Sequence, residues 1–198
     1  NATLHAKASK LNDLGLVKLH YTSKNGTNLT VGLIPEAKFL AGGEKALGSG
    51  IFFNPNMPTE ECFTTPKKGI ADGHVVATMP LSYQGEVIDG FWFDFKDGKV
   101  VNFGAKQNEA LLKQMLDMDE NARYMGEVAL VPKESPINQM GILFYSTLFD
   151  ENASCHIALG LGYSNTIRNY ENYTLEELRE MGVNNSMIHV DFMIGSDD

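Results

Sequence analysis

A histidine and an aspartate, His189 and Asp191, stand two residues apart near the C-terminal end of the sequence, within an otherwise apolar run. Because the side chains of a strand alternate between its two faces, both would point to one face and the apolar residues to the other. An imidazole beside a carboxylate is a typical pair of ligands for a divalent cation. A hydrogen-bonded His–Asp pair on a sheet surface has the same spacing, so the pattern alone leaves both interpretations open.

Two more polar residues, His156 and Glu127, stand in apolar surroundings. The residues around His156 predict a short amphipathic helix that starts at Asp150 and ends at Gly160. A single histidine on a helix is more often a surface or hydrogen-bonded core residue than a ligand. Glu127 is the only charged residue in residues 126–131, which predict a strand. A carboxylate buried alone is costly, so Glu127 should face either solvent or a cation.

Glu60 and Glu61 are adjacent carboxylates, which a strand would send in opposite directions, so only one can easily face a given site. Taken together, the sequence offers two histidines and several carboxylates. This is the ligand set of a divalent-metal hydrolase and not of a thiolate zinc site. A carboxylate that bridges two cations about 3.5 to 4 Å apart would explain why five or so ligands are present instead of three.

The two cysteines, Cys62 and Cys155, each stand beside a candidate ligand. Neighbours in a strand or helix point in different directions, so we expect both to pack in the core as reduced thiols. A pair of cysteines without other signs of secretion also favours thiols over a disulfide.

Local patterns predict a mixture of helices and strands. Apolar spacing predicts helices over residues 3–14 and 108–118, and the capping box of Thr174 and Glu177 predicts another that ends before Gly182. Residues 35–50 predict a short irregular helix or loop. Alternating apolar runs predict strands over residues 17–22, 29–33, 51–54, 75–78, 87–95, 100–105, 127–131 and 187–194. No regular β-α-β rhythm is present, so we predict an α+β fold with a strongly bent, mainly antiparallel, incomplete barrel-like sheet and a few short helices.

Composition narrows the class of protein. The 198 residues are 43% hydrophobic, which suits one domain with one core. The net charge of -9 repels a phosphate backbone, so we expect no nucleic-acid partner. No apolar run is long enough for a membrane span and no signal peptide is visible, so we expect no membrane partner and a cytoplasmic location.

Five sequence motifs resemble those of a known family and occur in the same order along the chain. They are residues 56–66, 80–83, 126–132, 143–153 and 188–195. They resemble the aminopeptidase T/aminopeptidase S family of two-metal metallopeptidases, and the resemblance covers nearly the whole chain. It implies hydrolysis of the N-terminal peptide bond of peptide substrates with two divalent cations (Zn, Co or Mn) and a metal-activated water.

The resemblance also implies residue roles. The metal ligands carried over are Glu61, Glu127, His156, His189 and Asp191, with Glu127 as the bridge. Tyr163 matches a family tyrosine that could donate a hydrogen bond to the tetrahedral intermediate. Glu60 is assigned as general base only by analogy with other two-metal aminopeptidases.

Family members carry an additional N-terminal domain. We therefore expect residues 1–198 to be a single catalytic domain from a longer parent, which would form a homodimer. A non-catalytic metal- or peptide-binding module remains an alternative for this segment in isolation. A dimetal hydrolase of phosphodiesters is less favoured, since no glycine-rich phosphate loop or arginine cluster is present.

Overall fold

The computed structural model describes residues 1–196, which form short helices between antiparallel strands. The helices are α1 (Ala2–Asp13), α2 (Glu109–Leu116), α3 (Pro136–Met140), α4 (Thr147–Asp150) and α5 (Leu175–Met181), with 3-10 turns at Glu151–Ala153, Ser164–Thr166 and Tyr170–Asn172. The first strands are β1 (Lys18–Thr22), β2 (Asn28–Leu33), β3 (Glu44–Lys45), β4 (Phe52–Phe53), β5 (Cys62–Thr64) and β6 (Pro66–Val76). They are followed by β7 (Leu81–Tyr83), β8 (Glu86–Ile88), β9 (Trp92–Lys96), β10 (Lys99–Gly104), β11 (Met125–Leu130), β12 (His156–Gly160) and β13 (His189–Met193).

The strands divide between two main sheets. One has the order β1-β2-β6-β9-β10 and the other β13-β12-β11-β5, while β3-β4 and β7-β8 form separate hairpins. Every strand pair is antiparallel, and no barrel closes within residues 1–196. The predicted α+β class with mainly antiparallel pairing is therefore confirmed.

Elements with strong local signals form where the sequence predicts them. The capping box of α5 is complete, because the Thr174 hydroxyl accepts from the Glu177 N–H and the Glu177 carboxylate accepts from the Thr174 N–H. Gly182 ends this helix at φ 115°, a left-handed angle that favours glycine. The β1-β2 and β9-β10 hairpins also form around the predicted Asn-Gly and Asp-Gly turns.

The prediction that His156 lies on a helix is wrong. The helical segment ends with the 3-10 turn Glu151–Ala153, and Ser154 is extended at φ -155°. His156 then starts β12, which pairs with strands on both sides and is buried throughout. A strand buried on both faces has a continuous apolar sequence, which looks locally like a segment of buried helix.

Of the two alternatives for residues 35–50, a helix or a loop, the structure has a loop that contains β3 and is held by isolated bridges such as Ala37↔Ile167 and Leu40↔Phe63. Other elements differ from the prediction in length. Strand β6 starts at Pro66, well before the predicted residue 75, because it pairs with β2 from Pro66 to His74, while β9 pairs only with its last part, Gly73 to Val76. The strand predicted over residues 87–95 is interrupted between β8 and β9.

The apolar face of β13 joins the two main sheets. The Phe192 ring packs at centroid distances of 5.7 Å from Phe91 and 5.0 Å from Phe93, and all three side chains are buried. His189 and Asp191 therefore point away from this core, as the alternation predicted. These edge-to-face ring contacts fix the strand that carries them.

Removing the Phe192 ring should destabilise the fold. We expect Phe192→Ala to lower the free energy of unfolding by about 3 to 5 kcal/mol, because it leaves a cavity between two sheets. Phe192→Leu should cost clearly less, since it conserves most of the volume. Denaturant unfolding followed by fluorescence measures both values. A loss below about 1 kcal/mol for the alanine variant would contradict the packing described here.

Both cysteines are free thiols, as predicted. Cys62 is buried in the core beside α1, with its Sγ 3.8 Å from the carbonyl oxygen of Leu4. Cys155 is half-buried, with its Sγ against the backbone of Val131. In residues 1–196, none of the helices is long and apolar enough to cross a membrane.

Candidate metal centre

Three adjacent strands present polar side chains on one face of the four-stranded sheet. Register places Glu127 of β11 opposite Ala158 of β12, and Ala158 opposite Asp191 of β13. His156 lies two residues before Ala158, and His189 two residues before Asp191, so all four polar side chains share this face. The small Ala158 side chain between two carboxylates leaves space above the sheet for a cation.

A bulge in β11 turns Glu127 toward this face. Met125 lies opposite Leu159 while Glu127 lies opposite Ala158, so Gly126 is an extra residue in the strand. Without the bulge, Met125 and Glu127 would share a face. With it, Met125 stays in the core and Glu127 joins the site. A Cβ at residue 126 would lie 2.1 Å from the carbonyl oxygen of Leu161, so only glycine fits.

Loops supply two further carboxylates. Glu61 immediately precedes β5, and Glu151 lies in the 3-10 turn after α4; both are buried. The Asn152 side chain connects the two loops, because its Oδ1 accepts from the Glu60 N–H at 2.7 Å and its amide donates to Leu148 O. Asn152 is fully buried and thereby fixes Glu61 and Glu151 relative to each other.

Glu127 contacts both histidines, with one carboxylate oxygen for each. Its Oε1 lies 3.7 Å from His156 Nε2, and its Oε2 lies 3.3 Å from His189 Nε2. On the outer sides, Glu61 Oε2 lies 3.0 Å from His156 Nε2 and Asp191 Oδ1 lies 3.5 Å from His189 Nε2. The predicted ligands Glu61, Glu127, His156, His189 and Asp191 therefore converge.

Potential ligand atoms fall into three overlapping groups, each within 4.8 Å. The groups are Glu61–Glu127–His156, Glu127–His189–Asp191 and Glu151–His156–Asp191.

Backbone carbonyls orient both imidazoles. His189 Nδ1 lies 2.7 Å from Leu161 O, and His156 Nδ1 lies 3.2 Å from Ser154 O. Because a carbonyl oxygen only accepts, each Nδ1 carries the proton and each Nε2 faces the carboxylates. Metal-binding histidines generally have this arrangement, in which the second nitrogen donates to a fixed acceptor.

Two buried atoms at the centre lack a hydrogen bond. Glu61 Oε2 and His156 Nε2 are 3.0 Å apart, yet they are not aligned for a hydrogen bond with each other or with another group of the described chain. Buried polar atoms are nearly always satisfied, so each such exception needs an explanation. Nitrogen and oxygen donors of this kind suit a divalent cation, and the residues present therefore fit the metal that the sequence motifs imply.

Charges within the cluster shift the pKa values of both histidines upward. Burial alone would lower the pKa of His189, but its contacts with Asp191 and Glu127 raise it to about 11. Burial opposes protonation of His156 as well, and contacts with Glu127 and Glu61 still raise its pKa well above the usual value. These contacts stabilise the protonated rings.

The pKa values of the carboxylates shift in different directions, depending on the neighbours of each group. Burial, and then the charges of Asp191 and Glu61, raise the pKa of Glu151 to about 9. Burial also raises the pKa of Glu61, which His156 lowers only in part. For Glu127 the two histidines outweigh burial, so its pKa falls below the usual value. Glu127 is therefore the central anion of the cluster.

Binding of a cation should release protons. At pH 7.5 the pKa values of His189 and Glu151 leave both protonated, as is His156, and a cation ligated by these groups must displace their protons. Because the raised pKa values favour the protonated state, affinity should increase with pH and occupancy should fall as pH drops. Calorimetry in buffers of different ionisation enthalpy should show release of about two protons per chain from the histidines, and of about three if Glu151 is also a ligand. Heats independent of the buffer, or constant occupancy from pH 8 to 5, would exclude histidine ligands.

Most of the cluster forms the floor of a cavity of about 780 Å³; His156, beside Glu61, is fully buried and does not line it. Its walls include apolar residues from several elements, namely Phe39, Leu40, Phe63, Leu148 and Val190. This volume lies in the range of about 300 to 1,000 Å³ typical of small-ligand sites.

Tyr163 lines the cavity beside the cluster. Its hydroxyl lies 3.2 Å from His189 Nε2, and the Thr65 hydroxyl fixes its backbone by accepting from the Tyr163 N–H and donating to the Tyr163 carbonyl. Burial and the charges of Glu127 and Asp191 raise the pKa of Tyr163, so its hydroxyl stays protonated at neutral pH.

Glu60 and Glu151 have different positions relative to the cavity. Glu60 is half-buried and is absent from the residues that line the cavity, whereas Glu151 lines it. Glu151 is not among the ligands predicted from the sequence, because a helix from residue 150 to 160 does not place residues 151 and 156 on one face. The available signal was its position in an Asp-Glu pair between apolar segments.

Comparison with known proteins identifies the family. The family model described as thermophilic metalloprotease (M29) matches residues 1–198. The chain belongs to the M29 family. This confirms the resemblance seen in the sequence motifs.

M29 relatives and a solved structure agree with this assignment. The chain is 55% identical over 157 residues to Aminopeptidase 2 of Geobacillus stearothermophilus, covering 79% of this chain and 38% of the relative. It is 48% identical to Aminopeptidase AmpS of Bacillus subtilis, covering 98% of this chain and 47% of the relative. The structure of wild-type AmpT from Thermus thermophilus superposes with a TM-score of 0.91 at 41% identity, covering 100% of this chain and 48% of that one. The chain thus spans about half the length or less of these M29 relatives.

Proposed function

We propose that this chain is the catalytic part of a metal-dependent aminopeptidase with a dinuclear metal site. The observation that carries the proposal is the position of Glu127, whose two oxygens face two different imidazoles on the floor of a cavity. This geometry suits a carboxylate that bridges two cations with one oxygen on each. The names of the M29 relatives, which are aminopeptidases, support the reaction class.

The ligand groups suggest how two cations would be held. Glu61, Glu127 and His156 would hold one cation, and Glu127, His189 and Asp191 the other. Glu151, near His156 and Asp191, would add a ligand or a hydrogen bond. Divalent cations such as Zn, Co or Mn would activate a water molecule and polarise the scissile carbonyl.

The other cavity residues would position the peptide. A carboxylate of the cavity that is not among the proposed ligands, such as Glu44, would attract the ammonium group of a peptide N-terminus, which favours cleavage at that end. The protonated hydroxyl of Tyr163 would donate a hydrogen bond to the carbonyl oxygen as negative charge develops there.

The general base remains a prediction with two candidates. Glu60 was expected in this role, and its backbone is fixed through Asn152. Glu151 is a second candidate, since its carboxylate lies near the cluster and lines the cavity. Comparing Glu60→Gln with Glu151→Gln separates them: the base variant should lose kcat while metal content stays normal.

The relatives are about twice as long as this chain or longer, which suggests that the chain is part of a longer protein. We propose that residues 1–198 act as one catalytic domain within a longer protein, which forms a homodimer. Its reduced cysteines are compatible with the cytoplasm.

Matched peptides test the proposed function. With added Co²⁺ or Zn²⁺, the protein should release the first residue of Leu-Gly-Gly and should leave its N-acetyl derivative intact, because acetylation removes the ammonium. A chelator should abolish the reaction, and added metal should restore it. Binding of metal and peptide without turnover, by both this chain and a longer parent, would favour the alternative of a non-catalytic binding module.

A further inference from the structure

The cavity wall contains many acidic residues and few lysines or arginines. Five carboxylates line it, those of Glu44, Glu61, Glu127, Glu151 and Asp191. Within the part of the chain that the structure describes, Lys38 is the one lysine or arginine among the lining residues. A peptide with free ends carries an ammonium at one end and a carboxylate at the other. Among the lining side chains of the described residues, only Lys38 offers a permanent positive charge for the second.

Lys38 has a fixed backbone and a side chain without a partner. Its N–H donates to Thr166 O at 2.8 Å, and the next residue, Phe39, donates to Asn12 Oδ1 at 2.7 Å. The residue is half-buried, yet within residues 1–196 its ammonium forms no hydrogen bond or ion pair. Most lysines are exposed to solvent. A half-buried lysine in a cavity wall, whose ammonium has no partner, can therefore bind an anionic group of a ligand.

Asn165 adds a neutral donor to the same region. It follows Tyr163 closely in the chain, lines the cavity and is half-buried, and its amide has no hydrogen bond within the described residues. The Ala37↔Ile167 bridge joins the segments that carry Lys38 and Asn165. An ammonium and an amide on joined segments are suitable donors for a carboxylate.

We propose that Lys38 binds the C-terminal carboxylate of short peptide substrates, so that di- and tripeptides with a free carboxylate are preferred. This inference rests on the proposed aminopeptidase function and concerns substrate choice. The cavity volume of about 780 Å³ suits a ligand of this size. Lys38 acts in binding and takes no part in bond cleavage.

Paired substrates and charge variants test the role of Lys38. Initial rates on the metal-loaded protein are compared for Leu-Gly-Gly and Leu-Gly-Gly amide. The unmodified protein should prefer the free carboxylate by about tenfold in kcat/KM, mainly through KM, as for one charge-assisted hydrogen bond. Lys38→Met should remove this preference and leave the rate on the amide nearly unchanged. Lys38→Arg should retain part of it, and the preference should weaken at high ionic strength.

Lys10→Met is the matched control, because Lys10 is exposed on α1 and does not line the cavity. It should keep the full preference. Equal kcat/KM for both peptides in the unmodified protein would overturn the proposal, as would an unchanged preference in Lys38→Met. If neither peptide is cleaved, the aminopeptidase function itself fails, and the inference fails with it. Cleavage of both without discrimination overturns only the role of Lys38.

Discussion

Glu127→Ala is expected to abolish binding of both cations and to lower kcat/KM by about a thousandfold or more. Its two oxygens face His156 and His189 separately, so its loss opens both proposed sites at once. His156→Ala removes a ligand from one side and should weaken mainly one cation. Titration calorimetry and elemental analysis measure the metal count, and Glu127→Gln provides a variant of nearly unchanged shape.

The control for this series is Glu180→Ala, which removes an exposed carboxylate on α5 that does not line the cavity. It should bind both cations normally. If Glu127→Ala still bound two cations with near-normal affinity, another carboxylate would have to be the bridge, with Asp191 or Glu61 as the next candidates.

Tyr163→Phe is expected to lower kcat by about a hundredfold to a thousandfold while metal content stays unchanged. The hydroxyl stays protonated beside the carboxylates and lies next to His189, so it can donate to an oxygen that becomes negative during the reaction. Because this hydrogen bond strengthens as charge develops, its loss should affect kcat much more than KM. Steady-state kinetics and metal analysis of the same preparation check both parts.

Two variants distinguish hydrogen-bond donation by the Tyr163 hydroxyl from positioning of the Tyr163 backbone. Tyr173→Phe removes a hydroxyl outside the cavity and should leave kcat unchanged. Thr65→Ala removes the side chain that fixes the Tyr163 backbone, so it should lower kcat by less than Tyr163→Phe. Normal kcat in Tyr163→Phe would exclude the proposed hydrogen bond.

The sequence predicted those parts of the site that follow from local periodicity. His189 and Asp191 share one face of a strand because side chains alternate, and Phe192 packs on the other. Hairpin turns and the capping box of α5 were likewise predictable, since they depend on a few adjacent residues.

The remaining features depend on contacts between distant segments. His156 lies on a central strand, and only its pairing with β11 and β13 distinguishes that strand from a buried helix. The bulge at Gly126 changes which face Glu127 occupies, and a regular alternation cannot show it. Glu151 enters the cluster through a turn that Asn152 fixes to the Glu60–Glu61 loop, across a large separation in sequence.

Anomalous diffraction from crystals grown with Co²⁺ tests the central claim most directly. Two peaks about 3.5 to 4 Å apart are expected on the cavity floor. One should lie among Glu61, Glu127 and His156, and the other among Glu127, His189 and Asp191. A single peak would contradict the dinuclear site, and no peak within reach of Glu127 would contradict the metal centre itself.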